Sequence, residues 1–246
     1  MRTACLALSR HLRQGSQRSG GGTLLMAELA LQLNLLANYP MRLYEVYLFP
    51  LLLDFVCGLR PLRREREQII PLARGQVLEV GIGTGRNIPF YDASKVERLW
   101  GLDPAVVLFK RAAKRAAESH LAVEFIGLSA EQIPMADHSF DTAVITCTLC
   151  SVPDAAQVLR EIRRVLKAEG ELLFCEHGRA PDAKVCRWQD RLTPLWRTIS
   201  GGCHLNRPVS ELIQAGGFQL QQLETRYLSH FRSLSFIYRG VAVPLP

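Results

Sequence analysis

Acidic residues are missing from the first twenty-seven positions of this 246-residue chain; Glu28 is the first. Through position 42, Arg2, Arg10, Arg13, Arg18 and Arg42 stand against that single acid, so more than half of the net charge of +7 sits there. Basicity concentrated in a leader argues against a nucleic-acid groove on the folded body, and no nucleic-acid partner is expected. Residues 1–40 read as a leader of mitochondrial type, or as a start placed too far upstream, with Met26 or Met41 as the true beginning. Their composition around 9–22 favours disorder.

Long uncharged apolar runs are missing too. Between Leu24 and Val56, every window of about eighteen residues meets Glu28, Asn34, Asn38, Arg42, Glu45, Asp54 or one of the prolines at 40 and 50. That argues against a spanning helix. It leaves an interfacial or lid helix with Tyr44, Tyr47, Leu48 and Leu51 on one face, restarted at Pro50, and a peripheral membrane contact through residues 24–56 as an option. A regular cysteine framework is also absent. Seven cysteines, an odd number, point to free thiols in a reducing, cytoplasmic setting. Cys147 and Cys150 form a C-x-x-C pair, but no second pair follows at zinc-site spacing, so no metal is expected.

What is present is sharper. Val77 to Gly85 reads Val-Leu-Glu-Val-Gly-Ile-Gly-Thr-Gly, an apolar strand running into three alternate glycines. Glycine lets the chain turn sharply and lets a ligand approach the backbone closely. A dinucleotide fingerprint needs glycine at position 86, where Arg86 stands. Glu79, two residues before the first glycine, would repel a pyrophosphate but attract an ammonium group. S-adenosylmethionine (SAM) carries an ammonium and no phosphate, so the turn favours SAM over a nicotinamide dinucleotide.

The segment Glu79–Gly85 resembles the first motif of class I SAM-dependent methyltransferases, and further segments agree. Leu99-Trp-Gly-Leu-Asp-Pro104 ends its strand at Asp103, Ser129-Ala-Glu-Gln-Ile-Pro134 is similar to a loop after the third strand, and Ser139-Phe-Asp141 opens the fourth. Leu159 to Gly170 is similar to the helix and turn before the fifth strand. The resemblance is strong over about residues 60 to 180. Ubiquinone/menaquinone-type methyltransferases and methyltransferase-like 7 thiol methyltransferases look most alike. It implies that Glu79, Gly81, Gly83 and Gly85 cradle SAM, that Asp103 binds the ribose, and that Ser129, Ala130 and Glu131 flank the adenine. Thr146 and Cys147, ending the fourth strand, lie beside the cofactor. Ser129 stands where aspartate is usual, and Ala168-Glu169-Gly170 stands where Pro-Gly-Gly is usual.

Alternating apolar runs and helical stretches predict a Rossmann-like α/β sheet of seven strands, mostly parallel with an antiparallel last strand, helices on both faces and an N-terminal helical lid, in a domain over 41–246. Strands are expected at 76–81, 97–102, 122–127, 141–147 and 171–176, with two more at 218–227 and 234–243. Helices are expected at 63–73, 84–91, 104–118, 154–167, 188–199 and 208–215. Arg63, Arg64 and Arg66, with Glu65 and Glu67 interleaved, read as a solvated face, as do Lys110, Arg111, Lys114 and Arg115.

Methyl transfer from a sulfonium is an in-line displacement in which holding the acceptor in place does much of the work, so no triad or metal is obligatory. Acceptor-side residues should come from loops after the fourth and fifth strands. His177 is the first candidate base or orienting group and His204 the second, with Thr148 and the lid residues Tyr44 and Tyr47 toward substrate. The expected function is methyl transfer from SAM to a small or lipid-like acceptor: a thiol, a phenol or quinone precursor, or an amine. A non-catalytic SAM-binding or membrane-peripheral protein and a nicotinamide-dependent oxidoreductase are the alternatives.

Overall fold

The computed structural model describes residues 48–245. The leader 1–40 and the lid residues Tyr44 and Tyr47 lie outside them. Helix α1 (Phe49–Cys57) carries Pro50 in its first turn, where a missing N–H costs nothing, and α2 (Arg60–Ile69) likewise begins with Pro61. Strands β1 (Gly75–Val80), β2 (Val96–Leu102), β3 (Val123–Ile126), β4 (Phe140–Thr146) and β5 (Leu166–His177) follow. Helices α3 (Phe109–Glu118) and α4 (Ala155–Val165) cross between them. The last part holds α5 (Ala183–Ile199), α6 (Val209–Ala215), β6 (Phe218–Tyr227), the single turn α7 (Arg232–Ser235) and β7 (Phe236–Pro244).

The strands form one sheet in the order β3-β2-β1-β4-β5-β7-β6. The first five run parallel, and β7 is antiparallel to both β5 and β6. This is the doubly wound sheet that the alternation predicts. Parallel strands must be covered on both faces, and alternate residues show it. Leu78, Val80, Ala143, Ile145, Leu172 and Phe174 pack with Val158, Leu159 and Ile162 of α4. Val77, Val144, Leu173 and Cys175 pack on the other face with Ile69 of α2 and Ala112 of α3. The chain order reverses between β1 and β4, which opens a crevice beyond their carboxyl ends, where such sheets bind ligands.

Three expectations are corrected. The helix over 84–91 is absent: positive φ at Gly83 and Gly85 leaves turns, and Pro89 limits the chain to one 3-10 turn at Ile88–Phe90. The turn at Ala168–Gly170 lies inside β5, which begins at Leu166 and absorbs those residues as a register shift opposite Phe140–Thr142. The charged face of α2 is solvated only in part: Arg63, Arg64 and Glu67 are exposed. Glu65 and Arg66 are buried, with Glu65 paired to Arg226 and Arg239. On α3, Lys110 and Lys114 are exposed as expected, while Arg111 and Arg115 reach Asp54 of α1.

Among the described residues, no helix is long and apolar enough to cross a membrane. Leu51 and Phe55 of α1 are more than half exposed.

Candidate functional site

The glycine turn is shaped by what lies behind it. Gly81 has φ +77°, and a Cβ there would sit 2.2 Å from Thr148 Oγ1. Thr148 follows β4 and donates its hydroxyl to Val80 O at 3.0 Å, so the ends of β1 and β4 are pressed together at this point. Gly85 (φ +77°) rests against Ala112 of α3, where a Cβ would lie 2.9 Å from Ala112 Cα. Arg86 folds back to Asp54, its Nε and Nη2 donating to the carboxylate at 2.9 and 2.8 Å. Burial works to raise the Asp54 pKa, but hydrogen bonds from Thr84 and Arg86 and the charge of Arg115 outweigh it and keep the carboxyl below its ordinary value. The residue that departs from a dinucleotide fingerprint is thus a strut that fixes the turn to α1.

Under the turn lies a buried polar network. Glu79 is 1% exposed, and its two oxygens accept from Asn87 Nδ2 at 3.0 Å and Tyr91 Oη at 2.7 Å. Asn87 also donates to Thr146 Oγ1 and accepts from Arg66 Nε, both at 2.9 Å. Burial pushes the Glu79 carboxyl up to about 8, against the lowering effect of those hydrogen bonds and of Arg66. Glu79 thus sits in β1 just before the turn, with its carboxylate held by Asn87 and Tyr91.

Asp103 sits directly after β2. Its Oδ2 accepts the Gly83 N–H at 2.9 Å and its Oδ1 the Ala105 N–H at 2.8 Å, so the acid and the turn face one another across the β1–β2 side of the crevice. Burial raises its pKa, which the two backbone hydrogen bonds oppose. Ser129 is exposed, and its hydroxyl donates to Glu131 Oε2, while Glu131 Oε1 accepts the Asp154 N–H at 3.0 Å. Ala130 is buried in the core. This loop is tied to the start of α4, and Ser129, Gln132 and Pro134 lie at its surface.

The opposite wall comes from β4 and β5. Cys147 takes a left-handed conformation (φ 53°) that swings the chain away from the strand. Thr148 N–H then donates to Glu176 Oε1 at 2.7 Å. Glu176 is fully buried and its other oxygen has no partner among the described residues; burial raises its carboxyl to about 7. His177 Nδ1 lies 3.9 Å from Cys203 Sγ. Burial alone would lower the His177 pKa, but Cys203 and Glu176 raise it.

His204 is held against the loop after β4. Its backbone N–H donates to Cys150 O at 2.7 Å and its Nδ1 lies 3.0 Å from the same oxygen, which places the ring proton on Nδ1 and uses it as a tether. Burial lowers its pKa. Arg207 reinforces the tether by donating to Leu149 O, Val152 O and Pro153 O. Sequence reading missed Asp54, Asn87, Tyr91 and Arg207. Only Cys203 carried a visible signal, in the Gly201-Gly-Cys-His run. The six described cysteines are free thiols.

Residues 78–174 match the family model described as "Methyltransferase domain". The rat (Rattus norvegicus) thiol S-methyltransferase TMT1B is 40% identical over 152 residues, covering 60% of this chain and 62% of that protein. The ubiquinone/menaquinone biosynthesis C-methyltransferase UbiE of Bartonella tribocorum is 33% identical over 130 residues, covering 51% of this chain and 48% of that one. This chain thus spans less than two thirds of such relatives' length. A SAM-dependent methyltransferase from Methanosarcina mazei has a similar fold, with TM-score 0.55 and 21% identity over 69% of this chain and 92% of that chain.

Proposed function

We propose, from the methyltransferase-domain match over residues 78–174, that this protein is a class I SAM-dependent methyltransferase and transfers the methyl group of SAM to the sulfur of a small, apolar thiol. The observation that carries the reading is the pairing of two walls across one crevice. One wall is the glycine turn with Asp103, suited to a nucleoside bearing an amino-acid tail. The other is Thr148, Glu176, His177 and Cys203, at the strand ends where the acceptor must stand. Support for sulfur as the attacking atom comes from the thiol methyltransferases among the relatives. Support for an apolar body comes from α5, which exposes Leu195 and Ile199 shortly before Cys203.

In this mechanism the cofactor supplies the electrophile, and the chain supplies position and charge. Glu79, held ionised by the incoming cation, favours the ammonium group from beneath the turn. Asp103 exchanges its Gly83 and Ala105 partners for ribose hydroxyls. The acceptor thiol, with an ordinary pKa of about 8.5, gives up its proton before attack. Its lone pair forms the new carbon–sulfur bond while the old bond breaks toward the sulfonium, leaving S-adenosylhomocysteine and a methyl thioether. His177 orients the attacking sulfur.

Two measurements test the reading. Asp103→Ala should weaken SAM binding by about 1–3 kcal/mol in calorimetry, the range for hydrogen bonds to a charged group. Unchanged affinity would remove Asp103 from the cofactor site. A panel of thiols, phenols and amines assayed for S-adenosylhomocysteine release should show turnover with apolar thiols. His177→Ala should lower that turnover by about 100-fold while leaving SAM affinity alone. Binding of SAM with no methylation of any thiol would overturn the assignment.

A further inference from the structure

Three soft donor side chains meet beside the crevice, although they are spread over fifty-four positions of the sequence. Cys150 comes from the loop after β4, His177 from the last position of β5, and Cys203 from the segment after α5. One ligating atom from each lies within 4.8 Å of the others. Tetrahedral zinc, with bonds of about 2.3 Å to sulfur and 2.0–2.1 Å to nitrogen, holds such donors about 3.5–3.8 Å apart. Cys203 Sγ and His177 Nδ1 are already 3.9 Å apart, so side-chain rotation alone would close the set. The sequence offered Cys147 and Cys150 as the pair to consider. The fold replaces Cys147 with Cys203, because the left-handed turn at Cys147 carries the chain round before Cys150.

The cluster is a built one. His204 and Arg207 pin the segment carrying Cys203 onto the loop carrying Cys150 through the carbonyls of Leu149, Cys150, Val152 and Pro153. Next to it, Glu176 Oε2 is buried with no partner among the described residues, which points to a cation or proton donor in its neighbourhood.

We propose that Cys150, His177 and Cys203 bind a zinc ion whose fourth position takes the acceptor thiol as a thiolate. The proposal rests on the thiol reading above and deepens it. Three protein ligands and one open position are the arrangement of catalytic rather than structural zinc. The acceptor's S–H proton leaves to solvent as the zinc–sulfur bond forms. The bound sulfur then attacks the methyl carbon, and the neutral thioether product, a weaker ligand than a thiolate, departs.

The test uses the full chain, purified with a phosphine reductant and titrated with Co2+ alone. The expected result is one Co2+ per chain, with a thiolate-to-cobalt charge-transfer band and tetrahedral ligand-field bands, both lost on adding Zn2+. Cys150→Ser and Cys203→Ser should each lose at least half of the charge-transfer intensity, whereas Cys186→Ser should keep it. Benzyl mercaptan should shift the bands as it takes the open position. A chain that binds SAM normally but develops no such bands, or that yields only a Cys150–Cys203 disulfide without reductant, overturns the zinc site and leaves the methyltransferase reading intact. A chain that shows the bands yet methylates no thiol keeps the metal site and removes its role in acceptor activation.

Discussion

Gly81→Ala should abolish SAM binding, with a loss of more than about 100-fold, or close to 3 kcal/mol. A residue with a side chain is strained at φ +77°, and that strain alone costs on the order of 1 kcal/mol. The collision is larger. The new methyl would lie 2.2 Å from Thr148 Oγ1 and 2.7 Å from its Cγ2. Thr148 has nowhere to retreat, since its hydroxyl is bonded to Val80 O and its N–H to Glu176. The turn must therefore open, or the loop after β4 must shift. Either movement spoils the cofactor wall, and the second spoils the acceptor wall too. The variant should keep its sheet, because the core residues of β1 point away from the turn, so an intact cooperative melt is expected alongside the lost affinity. Pairing Gly81→Ala with Thr148→Gly removes the Cβ that stands 3.0 Å away and should restore part of the binding. Wild-type affinity in the single variant would show that β1 and β4 do not meet as described.

The parts of this molecule that a reader could find in the sequence are those written locally. The run from Val77 to Gly85 states its strand, its turn and its preference among nucleotides within nine residues. Asp103 was legible because a strand end and an acid are adjacent, and the sheet was legible because each strand is a short apolar run between polar helices. Element ends were less so. Ala168–Gly170 reads as a turn and Leu166 as the end of a helix, yet the pairing of Leu166 with Phe140 draws the segment into β5, a contact made with a strand more than twenty residues away.

The charges show why the rest was hidden. Arg66, Arg111 and Arg115 lie on helices whose composition looks wet, and each turns inward for a partner remote in sequence. Arg66 meets Asn87, and the other two meet Asp54, fifty-seven and sixty-one positions away. Nothing near Asp54 announces that three guanidinium groups will converge on it. The same is true of Cys203 and His177. His177 stands out as a strand-end histidine and Cys203 within its glycine run, but that they meet each other and Cys150 emerges only once β4, β5 and the segment after α5 are side by side. Functional chemistry spread across strand ends has no spacing rule to reveal it.

Glu79→Gln should yield a protein more stable at alkaline pH and weaker in SAM binding. Burial holds the Glu79 carboxyl at about 8 in the folded protein, against an ordinary value of 4.5. Between those two values the folded state keeps a proton that the unfolded state releases. Stability of the ligand-free protein must then fall as pH rises through this window, by roughly 1.4 kcal/mol per pH unit for this one group. Glu176, raised to about 7, adds to the same slope in the lower part of the window. Glutamine resembles the protonated acid: its oxygen can accept from Asn87 Nδ2, and its amide can donate to the Tyr91 oxygen. The variant should therefore match wild type near pH 4.5, lose one proton's worth of slope above it, and melt higher at pH 8. SAM binding runs the other way. A cation above the turn favours the ionised carboxylate, so the neutral variant should bind SAM more weakly by about 1–3 kcal/mol. The ligand's ammonium thus offsets the instability of a buried charge that the empty protein avoids by holding a proton. Thermal unfolding of both proteins from pH 5 to 8, with and without SAM, measures the two effects together. If both melt along parallel curves, the proton is not on Glu79, and the negative charge under the turn is present before any cofactor arrives.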